Sequence, residues 1–147
     1  MDPHQFLYWA QGLAEHGAYP VEFRSAISRA YYAAFHVGVN VLKEMGFSIY
    51  QNASAHELVR EHFSNSRDDE LTKAASKMND LKMKRNHADY ELNRPDVEKK
   101  KNARMHVQQA ARLIETIEKR CHSEKRSEII IAIQEWKDRL SGKDQFH

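Results

Sequence analysis

The stretch Ser25–Met45 constrains the fold of this chain more than any other, because it predicts one long helix with two different faces. At about 100° per residue, one side of that helix collects apolar and small residues, as expected of a face packed in a core. These residues are Ile27, Tyr31, Ala34, Gly38, Val41, Leu42 and Met45. The opposite side carries a narrow polar arc of Ser25, Arg29, Tyr32, His36, Asn40 and Lys43. An arc with a tyrosine, a histidine and few acids is unusual for a face that only meets solvent.

Length and composition favour one helical domain. The chain has 147 residues, enough for a core of its own, and its 41% hydrophobic and 30% charged content fits a soluble globular protein. Strand-like alternation is absent, and only five glycines and three prolines are scattered along the chain, which leaves helices. The single cysteine, Cys121, excludes an internal disulfide. Together with the lack of a signal peptide or a long apolar run, it predicts a cytoplasmic protein without a membrane segment.

Periodicity and turn residues divide the chain into helices. The predicted helices are Asp2–Glu15, a second one ending near Met45, Ser54–Phe63, a fourth starting near Asp68, Asp96–Arg120, and a last one ending near Leu140. Short connections predict an antiparallel up-and-down bundle of four to five helices in residues 1–121. Residues 122–147 add a C-terminal helix and a frayed tail, and this helix either packs on the same domain or contacts a second copy. Ser54 with Glu57 has the spacing of a capping box at the third helix.

The fourth predicted helix changes character partway along. Leu71, Ala75 and Met78 form an apolar stripe that continues through Lys82 and Arg85. Either the helix leaves the core there and lines a groove or a subunit contact, or the long side chains extend over the end of the bundle.

Positive charge is concentrated in the segment 82–104. This segment has eight basic and four acidic residues and so carries +4, in a chain whose net charge is +2. A basic surface of this kind is expected of a protein that binds the phosphate backbone of a nucleic acid, although a solvated helix face would carry it as well.

Several kinds of site are excluded by the motifs. The chain has no glycine-rich phosphate loop, no nucleophile elbow and no His-Glu-x-x-His helix. His56 and His62 are six residues apart and lie on different faces of their helix. We therefore expect no metal and no cofactor.

Two segments resemble the HEPN domains of one bacterial subfamily. Ser28–His36 reads SRAYYAAFH, which is similar to the subfamily's SRAYYAxFH signature, and Arg85–Tyr90 reads RNHADY, which is similar to its R-x-x-ADY stretch. His56 matches a histidine that the subfamily has at the start of the third helix. The resemblance covers the chain from about Phe6 to Cys121.

This resemblance implies a bundle of four to five helices that usually dimerises and acts on RNA. Such domains are ribonuclease toxins, defence effectors, or non-catalytic RNA- or nucleotide-binding partners, often paired with a nucleotidyltransferase. The catalytic HEPN motif is an arginine and a histidine separated by four to six residues, with a polar residue, often asparagine, after the arginine. Two subunits bring their copies into one cleft, and the metal-independent cleavage uses the 2′-hydroxyl of the RNA as nucleophile.

The chain departs from that motif on its fourth helix. Arg85 and Asn86 match the start, but Asp89 or Tyr90 takes the position of the histidine. A tyrosine, with a pKa near 10, is a poor acid–base group near neutrality, and an ionised Asp89 would repel phosphate. His87 follows Arg85 by two residues, which places the two side chains about 200° apart.

The Arg-x(4–6)-His spacing occurs once in the chain, at Arg29 and His36. Their separation of seven positions is almost two turns, so both lie on one side of the helix with Tyr32 between them. An arginine that holds a phosphate, a histidine that transfers a proton and a tyrosine that stacks would form a workable RNA site. In the alternative, structural interpretation, Arg29 pairs with Asp89 inside the bundle and Tyr31 belongs to the core.

Three functions follow as hypotheses: an RNA- or nucleotide-binding protein with a degenerate catalytic motif, an active ribonuclease with a site shared across a dimer, or a protein-binding adaptor that docks through Ile129–Leu140. The resemblance implies a toxin–antitoxin or defence setting, and the expected partners are RNA or a nucleotide, a second copy of the chain, and a nucleotidyltransferase or an antitoxin. The candidate catalytic residues are Arg29, His36, Arg85 and His87. The candidate RNA- or nucleotide-binding residues are Tyr32, Lys82, Lys84, Asn86, Asp89, Tyr90, Lys99, Lys100 and Arg104.

Overall fold

The computed structural model describes residues 1–145, with side chains through residue 142, and within that range the chain forms helices and no strands. The helices are α1 (His4–His16), α2 (Pro20–Glu44), α3 (Ala55–Ser64), α4 (Asp69–Tyr90), α5 (Lys100–Cys121) and α6 (Arg126–Gln145). A single turn of 3₁₀ helix, Pro95–Glu98, precedes α5. The predicted all-α bundle is confirmed.

Helix α2 is the centre of the bundle and packs mainly on α1, α4 and α5. Its predicted apolar face is buried: Ile27 is 1% exposed and Leu42 is fully buried. Gly38 lets α3 approach α2 closely, because a Cβ atom there would lie 2.9 Å from Val59 Cγ1 and 3.3 Å from the Phe63 ring. The small residue is therefore required by packing between the two helices.

Helix α4 keeps its stripe inside the bundle over most of its length. Leu71 and Met78 are buried, as predicted, and Arg85 is also buried, with 8% of its surface exposed. Lys82 lies at the boundary between core and solvent. The idea that Arg85 extends over the end of the bundle is therefore wrong, since its guanidinium lies in the interior beside α2.

Several helix ends differ from the predictions: α1 begins at His4 rather than Asp2, α6 ends at Gln145 rather than near Leu140, and the starts of α3 and α5 differ as well. The capping box at Ser54 is absent, because the Ser54 hydroxyl donates to Asn52 Oδ1 (2.6 Å) in the preceding turn. Helix α5 begins at Lys100 rather than Asp96, because the residues after Pro95 form the 3₁₀ turn. Asp68 does cap α4, where its Oδ1 accepts a hydrogen bond from Leu71 N (3.0 Å).

Helix α6 packs on its own chain. Ile129 and Ile133 are buried, and the Trp136 ring lies edge-on to the His62 ring, with 5.2 Å between centroids. Arg126 donates to the Cys121 carbonyl (2.8 Å). Of the predicted frayed tail, the part through residue 145 is helical and the last two residues lie outside the described range.

His62 lies under α6 with an incomplete set of hydrogen bonds. Its Nδ1 is 2.6 Å from the Leu58 carbonyl and therefore donates to it, whereas Nε2 is buried and has no partner. Burial lowers the pKa of His62, and the Lys137 ammonium adds to this, although the bond to Leu58 opposes the shift. His62 is therefore neutral near pH 7.

No helix in residues 1–145 is long and apolar enough to cross a membrane. Cys121 is buried, and burial raises the pKa of its thiol to about 12.

Candidate functional site

The C-terminal part of α4 is held against α2 by a buried arginine. Arg24 donates to the carbonyls of Ala88 (2.9 Å) and Glu91 (3.0 Å), and its Nε donates to Glu98 Oε2 (2.8 Å). Weaker bonds of 3.2 Å reach the carbonyls of His87 and Arg94. One side chain thus bonds carbonyls in the last turn of α4, among them that of Ala88, and in the residues that follow, and it fixes the segment that carries the RNHADY sequence.

Arg85 projects from this anchored segment onto two tyrosines of α2. Its Cζ atom lies 5.4 Å from the Tyr31 ring centroid and 5.3 Å from that of Tyr32. Its nearest carboxylate is that of Asp89, whose Oδ2 lies 3.9 Å from Arg85 Nη1. The Nε atom of Arg85 is buried and has no hydrogen-bond partner. The guanidinium charge is therefore held in place by aromatic rings and only weakly neutralised by an acid.

His56 enters the same place from α3. Its Nδ1 lies 2.5 Å from the Tyr31 hydroxyl, and its ring stacks on Phe35 with 4.1 Å between centroids. Burial lowers the pKa of His56, and the charges of Lys82, Arg85 and His36 add to that effect. Burial also raises the pKa of Tyr31, which stays protonated. We call Arg85, Tyr31, Tyr32, His56 and Asp89 the Arg85 site.

Asp89 is oriented by α2. Its Oδ2 accepts a hydrogen bond from Ser28 Oγ (3.1 Å) and also faces Arg85. The structural alternative that Arg29 pairs with Asp89 is wrong, since Arg29 is exposed and its Cζ lies 5.8 Å from the ring centroids of Phe6 and Tyr32.

His36 contacts the same two rings as Arg29. It stacks on Phe6 with 5.8 Å between centroids and an interplanar angle of 19°, and on Tyr32 at 6.3 Å and 25°. Burial lowers the pKa of His36, which is neutral near pH 7. The seven-residue spacing thus places Arg29 and His36 on one surface, as expected, with the Phe6 and Tyr32 rings beside both.

His87 does not join the Arg85 site. It lies on the side of α4 that faces α5, where it lines a cavity of about 300 Å³ with Lys84 and His106. Its Nε2 is 3.4 Å from Glu91 Oε2. This separation from Arg85 is the one that the helical period predicts.

The remaining basic candidates lie elsewhere. Lys100 and Arg104 line a groove of about 660 Å³ between α1 and α5, where Arg104 pairs with Glu15 at 3.4 Å. Lys99 is exposed just before α5, and Tyr90 is 73% exposed at the end of α4. The positive segment of the sequence is therefore divided among three surfaces. Lys82 lies at the edge of the Arg85 site, Lys84 lines the cavity beside His87, and Lys100 and Arg104 line the groove between α1 and α5. Asn86 is half-buried on α4.

Phe6, Ser28 and Arg24 were missed by reasoning from the sequence. Each acts through a contact with another helix, and helical periodicity describes only the face on which a residue lies. His56 was indicated by the resemblance alone.

No group of three or more His, Cys, Asp or Glu side chains in the described part of the chain is arranged to hold a metal ion. Comparisons of the chain with protein-family models, curated proteins and solved structures found no match.

Proposed function

We propose that the protein binds RNA and that the Arg85 site contacts the phosphate backbone. The observation that carries this proposal is the state of Arg85, a buried guanidinium with an unpartnered Nε and an acid no closer than 3.9 Å. Burying a charge without a close partner costs free energy, and an anionic ligand would lower that cost. Arginine suits phosphate because its planar fork can donate two hydrogen bonds at once.

The surroundings of Arg85 support an anionic ligand. Lys82 and Arg60 lie close enough to affect the pKa of His56 and of Tyr31, respectively. Asp89 is the acid within the site and opposes a phosphate there, but Ser28 holds it by a hydrogen bond, and the two cations Arg85 and Lys82 outnumber it. The resemblance to HEPN domains points to RNA as the source of the phosphate.

We propose binding without cleavage because α4 has no histidine beside Arg85: its His87 faces α5 instead. A metal-independent ribonuclease is the second candidate, because α3 and α2 bring His56 and His36 to the neighbourhood of Arg85. Either histidine could replace the one that the α4 motif lacks.

Binding is tested by two lysines of the same helix. Lys82→Ala removes a charge at the Arg85 site, whereas Lys77→Ala removes one from the cavity between α4 and α5. We expect the Lys82 variant to bind a labelled RNA oligonucleotide more weakly at low salt. Between about 50 and 200 mM salt, a plot of the logarithm of its binding constant against the logarithm of the salt concentration should be less steep than that of the wild-type protein by about one unit. Equal binding by both variants would contradict the assignment of the site.

Arg85→Lys keeps the charge but loses the planar fork. We expect it to fold and to bind RNA several-fold more weakly, measured by fluorescence anisotropy. If the wild-type protein binds no RNA at any salt concentration, the proposed function is wrong.

Cleavage is tested on the same oligonucleotide without metal ions. A ribonuclease is supported if the wild-type protein cleaves it, if Arg85→Ala abolishes cleavage, and if at least one of the separate variants His56→Ala and His36→Ala also abolishes it. Intact RNA after incubation with the wild-type protein would favour binding alone.

The partners implied by the resemblance belong to the same proposal: a homodimer, and a nucleotidyltransferase or an antitoxin in a toxin–antitoxin or defence system. The mass in solution tests the dimer. The adaptor hypothesis is tested by Ile131→Lys, since Ile131 is 55% exposed on α6 and its replacement leaves the core intact. Unchanged mass and unchanged partner binding would count against docking through α6.

A further inference from the structure

Beside the Arg85 site, the first two helices form an exposed aromatic surface. Phe6 of α1 stacks on His36 of α2, His36 stacks on Tyr32, and Arg29 lies 5.8 Å from the centroids of both Phe6 and Tyr32. Phe6, Tyr32 and His36 are half-buried, and Arg29 is exposed, so their edges and outer faces are accessible. The mutual contacts of these side chains restrict their rotamers before a ligand arrives, which lowers the entropy lost on stacking.

Trp9 extends this surface along α1. It follows Phe6 by three residues, which places it within about 60° of Phe6 on the same side of the helix, and it is 66% exposed. Exposed tryptophan is costly to leave in water and has the largest stacking area of any side chain. We call Phe6, Trp9, Arg29, Tyr32 and His36 the aromatic surface.

The aromatic surface is continuous with the Arg85 site through Tyr32. The Tyr32 ring is 5.3 Å from Arg85 Cζ and 5.8 Å from Arg29 Cζ, so two cations flank one ring. Helix α2 has no acidic residue between Glu22 and Glu44, and α1 has none between Asp2 and Glu15. A phosphodiester chain that runs from Arg85 to Arg29 would therefore pass Asp89 of α4, which bonds Ser28, but no acid of α1 or α2 over those segments.

We propose that the aromatic surface is a nucleobase-stacking subsite, so that the RNA bound at the Arg85 site is single-stranded there. This inference rests on the proposed RNA binding. Duplex RNA keeps its bases stacked on one another and presents only sugar and phosphate, whereas an unpaired base can stack on an aromatic side chain or a guanidinium plane. The aromatic surface offers both kinds of partner, and its Tyr32 ring lies 5.3 Å from Arg85 Cζ.

Two neighbouring residues of α1 provide a matched test. Trp9 and Tyr8 are similarly exposed, at 66% and 62%, but Tyr8 lines a separate cavity between the start of α1 and the second half of α5, with Glu115 and Lys119. We expect Trp9→Ala to weaken binding of a labelled twelve-nucleotide single-stranded RNA by about tenfold, the scale of losing one stacked base. We expect Tyr8→Ala to change it by less than about twofold.

Tryptophan fluorescence gives a second, independent readout. The chain has two tryptophans, and the Trp136→Phe variant leaves Trp9 as the remaining one. Stacking of a base on Trp9 should quench its emission during titration with the single-stranded RNA. Inorganic polyphosphate, which has the charge but no bases, should bind without that quenching and should be insensitive to Trp9→Ala.

The outcomes separate the inference from the proposed function. Three results together support the inference. Trp9→Ala binds the single-stranded RNA more weakly than the wild-type protein does, the single-stranded RNA quenches Trp9 emission, and the wild-type protein binds a duplex of the same length more weakly than the single strand. If the wild-type protein binds the RNA and Lys82→Ala impairs this, but Trp9→Ala and Tyr8→Ala behave alike, the stacking subsite is wrong and RNA binding stands. If neither single-stranded nor duplex RNA binds, both proposals are wrong.

Discussion

Replacing Arg24 with methionine should destabilise the protein strongly, because this side chain joins α2 to the end of α4. Methionine has a similar length and an apolar stem, so it fills most of the space and removes the guanidinium. The variant loses the pair with Glu98 and the bonds to the Ala88 and Glu91 carbonyls. All of these partners lie in or just after the segment that carries Arg85.

The expected loss follows from the burial of the two partners. Removing one member of a fully buried ion pair costs about 3–5 kcal/mol. The Arg24 side chain is 9% exposed but that of Glu98 is 30% exposed, so water can solvate the carboxylate that is left behind. We therefore expect a loss of about 2–4 kcal/mol in the free energy of unfolding. In a protein of this size that corresponds to a fall in Tm of about 5–15 °C.

Urea unfolding followed by far-UV circular dichroism measures this loss. The control is Arg104→Met, whose ion pair with Glu15 is 58% and 53% exposed and should contribute less than about 1 kcal/mol. Hydrogen exchange should also show faster exchange of the α4 amides from Arg85 to Tyr90 in the Arg24 variant. A loss no larger than that of the control would refute the view that Arg24 anchors α4.

Three further predictions test packing and titration. Gly38→Ala should lower the free energy of unfolding by about 1–2 kcal/mol, because the added methyl group overpacks the contact between α2 and α3. Gly12→Ala should raise it by about 0.5–1 kcal/mol in the same urea experiment, because a Cβ atom at Gly12 meets nothing within 4 Å. Because burial lowers the pKa of His62, the unfolded chain binds a proton below about pH 6.5 that the folded chain does not, so stability should fall as the pH drops below that value. His62→Leu should reduce this fall, and equal pH profiles would contradict it. Tyr31→Phe should cost about 1–2 kcal/mol by leaving His56 Nδ1 without its partner, which thermal unfolding would detect.

Much of the fold follows from local pattern. The apolar face of Ser25–Met45 is buried where the helical period places it, and so are Leu71, Ala75 and Met78 of the α4 stripe, although the burial of Arg85 farther along was not expected. Helical periodicity also placed Arg29 and His36 on one surface and kept His87 away from Arg85. These predictions hold because a side chain's direction around a helix depends only on its position along that helix.

Boundaries and caps were less predictable. Ser54 has the residue type and spacing of a capping box, but its hydroxyl instead bonds Asn52 in the preceding turn. Serine and asparagine side chains can bond several nearby backbone or side-chain groups, and the path of the loop decides which.

The sequence by itself determined the helical class, the two faces of α2 and the presence of a basic segment from residue 82 to residue 104. Only the tertiary structure decided how that segment is used: Arg104 turned to α1, His87 faced α5, and Arg85 was buried on Tyr31 and Tyr32. The physical reason is that these groupings depend on how the helices rotate and cross. That arrangement is set by packing across the whole bundle, and contacts such as those of Arg24 with the end of α4 join residues more than sixty positions apart.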